Sequence, residues 1–191
     1  VIGTFGVGLV AWTLLEYALH RFAFHELRLG SRMAEEHLRH HAEVSYFAPW
    51  SAKVGLAVPV LAALTAVGWP ALGAGGAAGL AAGVVAGWLG YEWLHRRLHT
   101  HGPATAYGRW ARRHHFHHHF RDPRANHGVT SPLWDHVFGT ATRVERVVVP
   151  ARQAHHLPWL LGPDGELAPG LSADFELGVR RGAAGGGRAP G

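Results

Sequence analysis

Residues 54–91, VGLAVPVLAALTAVGWPALGAGGAAGLAAGVVAGWLGY, contain no charged side chain. A bilayer core takes about 20 apolar residues per helix, so a run this long holds two spans. The alternative, a buried hairpin in a soluble helical protein, would not need so nearly complete a lack of polar residues. GWPALG at 68–73 predicts the break, because proline disfavours helix at the residue before it and glycine frees a turn. The reading is a hairpin, with one span over about residues 54–67 and the other over about 74–94. The first is short, which places Ser51 and Lys53 at the interface or makes the span re-entrant. Another apolar stretch fills about residues 1–19, with Glu16 near its end. The expected fold is all-α: an integral membrane helical bundle of about three visible spans beneath a helical cap.

Gly75, Gly79, Gly83 and Gly87 repeat every four residues, a small-residue series that lets helix backbones approach closely in lipid. A purely compositional Gly/Ala bias would give the same residues without that role. The step continues through Tyr91 to His95 and His99, drifting about 40° each time, so the stripe winds around the helix. Orientation follows from the cations. Arg21, Arg28, Arg32, Arg39 and Lys53 lie between the first and second spans, and Arg96, Arg97, Arg109, Arg112 and Arg113 follow the third. The 68–73 turn has none. Both basic regions are therefore expected on the cytoplasmic side, and with them every histidine of the chain.

There are 17 histidines and no cysteine, which excludes disulfide frameworks, thiolate zinc sites and iron–sulfur clusters. A net charge of +5 suits a nucleic-acid binder or a membrane protein with a basic face. Arg109–Arg124 matches no nucleic-acid module, and no nucleic-acid partner is expected. GAGGAA at 73–78 mimics a dinucleotide fingerprint but lies inside the uncharged run, without a preceding strand. The sequence begins at Val1, which leaves room for a missing N-terminal piece, and shows no signal-peptide pattern. From residue 162 the Gly, Pro and Ala content predicts a flexible tail over 162–191, leaving 1–161 as the folded unit.

Four histidine clusters stand out: HRFAFH (His20, His25), HLRHH (His37, His40, His41), HRRLH (His95, His99) and HFHHH (His115, His118, His119). Spacings of three and four share a helix face, so each triad could address one metal. The five-residue spacing of His20 and His25 suits a helix end or a distorted turn. The last cluster has a second register, His114, His117 and His118, and spacing alone does not choose. Ten imidazoles exceed the coordination of one ion and suit two. Such a site at a membrane surface points to oxygen chemistry on a lipid. Glu16, Glu92 and Asp135 are further candidate ligands. Glu92 and Asp135, with His114 and His117, are expected around the ligands rather than among them, orienting imidazole N–H groups. The other histidines, His127 included, are expected at the surface or in that outer role. A metal transporter or storage protein would need ligands along a path inside the spans, and the spans hold none.

EYALHRFAFH, HLRHH, YEWLHRRLH and HHFHHHFRDPRANHGVTSPLWDHVFGT together resemble the fatty acid hydroxylase / sterol desaturase superfamily over about residues 12–142. The resemblance favours the register His115, His118 and His119. It implies a non-haem dinuclear centre on cytoplasm-facing helices, iron in the active form and zinc in an isolated or inactive one, with molecular oxygen as co-substrate. The implied activity is hydroxylation of a fatty acyl chain or related membrane lipid. Desaturation, or carotenoid or sterol hydroxylation, could run on the same scaffold. Electrons would come from a separate donor, a ferredoxin or a b-type cytochrome with its reductase. The apolar substrate would enter between the first span and the hairpin, with the glycine helix leaving its groove. Members often have four spans where three are read here, and His127 and His136 replace residues that are more often aromatic or basic.

Overall fold

The computed structural model describes residues 1–27 and 31–178; Arg28 and the end of the expected tail, 179–191, lie outside them. Helix α1 (Ile2–Ala18) runs without a break into a π-helical segment, Leu19–Glu26. Helix α2 (Arg32–Ala42) starts at Ser31, whose hydroxyl accepts from the Ala34 N–H at 3.2 Å. Helix α3 (Trp50–Thr100) is two helices joined at Gly73, whose φ of 65° and ψ of 177° are open to glycine alone. The two arms lie side by side. The Trp50 and Trp88 rings are 5.9 Å apart, and Lys53 pairs with Glu92.

The hairpin is thus present, with a different boundary. Helix continues through Gly68 and Pro70 up to Leu72, which makes the first arm longer than the 54–67 span expected. Pro59 and Pro70 both sit inside it. Each removes one donor from the ladder, and in membrane helices neighbouring groups absorb that loss. The reversal therefore waits for the residue that can take a positive φ. Residues 50–72 extend about 34 Å at 1.5 Å per residue, enough for a hydrocarbon core.

α1 packs on the second arm through the glycine stripe. A Cβ on Gly83 would strike the Phe5 carbonyl and lie 2.9 Å from the Gly8 Cα, and a Cβ on Gly87 would lie 2.6 Å from Trp12. Gly8 answers from α1, where a Cβ would lie 2.9 Å from the Gly83 Cα. The glycines themselves are covered by the neighbouring helix and so do not form the groove expected of them. None of the most apolar window of α3 is buried, and Val58, Val67, Val10 and Ile2 point outward. Soluble monomers do not carry an apolar belt of this extent; in lipid it is matched to its solvent. The chain is a membrane protein.

The cap contains α2, α4 (Ala106–Phe120), α5 (Leu133–Val137), α6 (Ala151–Ala154) and a two-stranded parallel sheet, β1 (Val147–Val149) with β2 (Phe175–Leu177). Its core gathers Val44, Phe116, Val147, Val149, Leu157, Leu160 and Phe175. The expected flexible tail from 162 is corrected for 162–178. Phe175 is fully buried, and Asp174 takes Arg109 at 2.5 Å and also pairs with Arg113. One aromatic, one ion-pair centre and a short ladder order this Gly/Pro-rich stretch, features that its composition conceals.

Candidate metal centre

The ten predicted histidines come together at the cap end of the spans as two adjoining groups of five. His20, His25, His37, His41 and His118 form one; His40, His95, His99, His115 and His119 form the other. Within each group one ring nitrogen per residue lies within 4.8 Å of all the others. The 37–41 and 115–119 segments meet directly, with the rings of His41 and His119 stacked 4.1 Å apart.

Helix geometry explains the partition and corrects one expectation. At about 100° per residue, positions i and i+4 lie about 40° apart, while i+3 falls about 60° to the other side. Each triad is therefore split rather than aimed at one point. His37 and His41 serve the first group and His40 the second; His115 and His119 serve the second and His118 the first. His20 and His25 join the same group because a π-helix hydrogen-bonds from i to i+5, which returns a five-residue spacing to one face. Their rings are 5.2 Å apart. The alternative register fails on placement. His114 turns toward Asp135 at 3.4 Å, and His117 faces a groove on the outer side of α4.

Backbone carbonyls set ring orientation. The Nδ1–H groups of His20, His40 and His118 donate to the carbonyls of His127 (2.5 Å), Tyr46 (2.6 Å) and Ala125 (2.7 Å). A carbonyl only accepts, so these rings carry the proton on Nδ1 and turn an Nε2 lone pair inward. Nε2 atoms face one another at 2.9 Å (His25–His37 and His99–His115), 3.0 Å (His25–His118) and 3.1 Å (His40–His95). The Nε2 atoms of His20, His41 and His119 are buried without a hydrogen-bond partner among the described residues. Buried polar atoms are normally satisfied, and converging lone pairs repel unless a cation lies between them. All ten donors are neutral imidazole nitrogen, a set that suits first-row transition ions. The residues therefore fit two such ions.

The pKa directions agree with a site built from neutral ligands. Burial pushes His37, His41, His115, His118 and His119 well below the ordinary imidazole value, and neighbouring imidazoles push them further. Burial takes His40 down to about 4 against the bond to the Tyr46 carbonyl, with the Lys53 charge adding to the drop.

The expected carboxylates have other partners. Glu92 does not orient a histidine; it neutralises Lys53 and accepts from Trp88 Nε1 at 3.3 Å. Glu16 ties α1 to the GVTS segment, accepting from the N–H groups of Val129 (2.5 Å) and Thr130 (2.9 Å) and from the Thr130 hydroxyl (2.5 Å). Asp135 is fully buried. It accepts from the N–H groups of His127 (2.8 Å) and Gly128 (2.9 Å) and from the Thr140 hydroxyl (2.7 Å). Burial alone would raise its pKa, but its contacts with His114, His127, Thr140 and Gly128 hold it far below the carboxylate range. It thereby fixes the His127 carbonyl that orients His20. The buried ring of His127, 5.2 Å from that of His118, belongs to the surroundings of the site. The sequence left His127 between the surface and this outer role, because its isolation from the four clusters gave no ground for choosing.

An open apolar groove begins at His20, His37, His40 and His95 and runs down between α1 and the two arms of α3, past Trp12, Leu56, Val60, Val84 and Trp88. It joins both histidine groups to the lipid-facing part of the molecule.

Four elements delivering histidines to paired groups above such a groove agree with a family-level match: residues 5–140 fit the fatty acid hydroxylase family model. The chain belongs to the fatty acid hydroxylase family. It is 34% identical over 142 residues to a dihydroceramide fatty acyl 2-hydroxylase of Arabidopsis thaliana, covering 70% of this chain and 58% of that protein. A ceramide very long chain fatty acid hydroxylase of Schizosaccharomyces pombe is 31% identical over 71% of this chain and 41% of its own length. The fatty acid 2-hydroxylase of Rattus norvegicus is 30% identical, over 73% and 39% respectively. A solved structure of full-length scs7p, in which only the hydroxylase domain is visible, superposes with a TM-score of 0.59 at 30% identity. It covers 87% of this chain and 58% of that one. The chain thus spans roughly two to three fifths of the length of these relatives.

Proposed function

We propose that this chain is an oxygen-dependent membrane hydroxylase that acts on the acyl chain of a lipid at a non-haem pair of iron ions held by the ten histidines. The observation that carries this reading is the convergence of two five-imidazole groups on the inner end of a groove open to the bilayer. The relatives named dihydroceramide fatty acyl 2-hydroxylase and fatty acid 2-hydroxylase support an acyl-chain lipid as substrate, oxidised near the polar end of that chain.

His20, His25, His37, His41 and His118 would hold one ion, and His40, His95, His99, His115 and His119 the other. Bound there, the ions would supply the activation of dioxygen that an unactivated C–H bond requires. The protein supplies the rest. The groove walls Trp12, Leu56, Val60 and Val84 receive the apolar chain and exclude water. The carbonyls of His127, Tyr46 and Ala125 hold three rings in the ligating tautomer. In the net reaction one oxygen atom enters the C–H bond and the other leaves as water. The two electrons and two protons consumed come from outside the chain. The cap would face the cytoplasm, as the positive-inside rule requires of its arginines.

The test expresses the chain with iron, counts metal per chain and analyses host lipids by mass spectrometry against His118→Ala. About two ions per wild-type chain, with lipids heavier by one oxygen in wild type only, are expected. Lipids lighter by two hydrogens would replace hydroxylation by desaturation. Well-folded protein with no bound metal would end the proposal.

A further inference from the structure

A second feature of α4 is unused by the site. On its outer side a groove is lined by His117, Arg121, Arg146, Arg152 and His155, with Val148 among them, and carries no acidic side chain in its walls among the described residues. Arg121, Arg152 and His155 are exposed, as is Val148. The neighbouring carboxylates are Glu176, 3.4 Å from Arg146 on the rim, and Asp122, close to His117 and bound to Arg124. Cationic groups therefore outnumber anionic ones here.

The groove's position gives this charge a meaning. Taking His115 as zero, His118 and His119 lie at about 300° and 40° around α4, whereas His117 and Arg121 lie at about 200° and 240°. The helix thus turns its metal-facing side to the ends of the spans and the groove-facing side away from them. The groove opens away from the bilayer, and a single helix, about 10 Å across, separates it from both histidine groups. Lipid headgroups would meet the opposite side of the cap. The reaction proposed above consumes two electrons, which a carrier has to deliver to the histidine-bound ions.

We infer that this basic groove is the docking surface for a soluble, acidic one-electron carrier protein, which passes its electrons across α4 to the histidine-bound ions. This rests on the hydroxylase reading. Each turnover oxidises two carriers by one electron each. With two protons from solvent, those electrons reduce the second oxygen atom of dioxygen to water. Exposed Val148 and half-buried Pro150 form an apolar centre and the arginines a charged rim, the usual arrangement of a transient protein interface. Opposite charges accelerate encounter and make it sensitive to salt.

The experiment compares the iron-loaded full chain in zwitterionic nanodiscs with R121E/R152E and with the charge-keeping R121K/R152K. The probes are an acidic plant-type ferredoxin and an acidic soluble b-type cytochrome. At least one probe should bind wild type and R121K/R152K, lose affinity as salt rises, and bind R121E/R152E at least about tenfold more weakly. Product formation driven by that carrier should fall in parallel, while turnover driven by dithionite, which needs no docking, stays within about twofold. Equal carrier binding by all three proteins, or no salt-sensitive binding of either probe, overturns the inference. So does a charge effect seen only on nanodiscs containing phosphatidylglycerol, which would assign the groove to lipid headgroups. If dithionite yields no product even with wild type, the hydroxylase reading fails, and the binding arm still decides whether the groove docks a carrier.

Discussion

At the scale of single residues, the site depends on which nitrogen of each ring is free. His118 donates through Nδ1 to the Ala125 carbonyl and presents Nε2 to His25. His118→Ala should lower affinity at the first group by at least about tenfold, since even partners outside the ligand set cost that much. Metal analysis after dialysis would read it as fewer than two ions retained per chain. Asp135→Asn keeps the shape but weakens charge-assisted bonds to the His127 and Gly128 N–H groups. We expect a loss of about 2 kcal/mol, read as a lower thermal midpoint in detergent. Stability without metal should also fall with acid. The folded pKa values of His37, His40 and His41 are depressed, so below the unfolded value near 6.5 the unfolded chain binds more protons. Their contribution is complete above about pH 6.5 and is lost as pH falls toward the folded values, to about 4 for His40. Thermal scans of the metal-free protein should show a level midpoint down to about pH 6.5 and a falling one from there to about 4.5, and loading with metal, which holds the folded rings unprotonated, should raise the midpoint without flattening that slope. Much at this scale was legible in the sequence, because ligating residues are of one chemical type and stand in recognisable spacings. The carbonyl partners of His20 and His118 were not, because any residue supplies a carbonyl. Glu92 was misread because its partner, Lys53, lies on the other arm of the hairpin, where no local pattern points to it.

At the scale of elements, the glycine stripe and the Gly73 reversal do different work. Along the stripe, glycine lets two backbones touch; at 73 it lets one backbone turn. Gly83→Leu should therefore separate α1 from the second arm and carry His20 and His25 away from the other ligands. A drop of more than about 10 °C in thermal midpoint together with loss of bound metal is expected. Gly90→Ala, where an added Cβ meets nothing within 4 Å, is the control and should behave as wild type. The stripe could be read because its period is that of a helix. The turn, read over 68–73, does fall at Gly73 but was drawn too wide, because proline signals a break in water more strongly than in a bilayer, where helix survived both Pro59 and Pro70. The π-helical segment was half visible: the spacing of His20 and His25 is wrong for an α-helix, and the fold adapts the backbone to that spacing.

At the scale of the whole molecule, two apolar helical units carry a polar cap. With no native cysteine, single thiols report on orientation directly. An impermeant thiol reagent added to intact cells should label Ala74→Cys, beside the reversal, and should reach Ser45→Cys, in the cap, only after lysis. The reverse pattern would place the histidines on the outer face. The cap's closing stretch was the least legible part. Val147–Val149 pairs with Phe175–Leu177 across a long separation, and a three-residue strand in Gly/Pro-rich sequence has no periodicity to display.

The division of each histidine triad between both groups has a last consequence. Because α2 and α4 each reach into both halves, whichever cation arrives first clamps the two helices that carry half of its neighbour's donors. Filling should then be cooperative, and stepwise titration of the empty protein should pass from bare to doubly loaded chains with few singly occupied ones between.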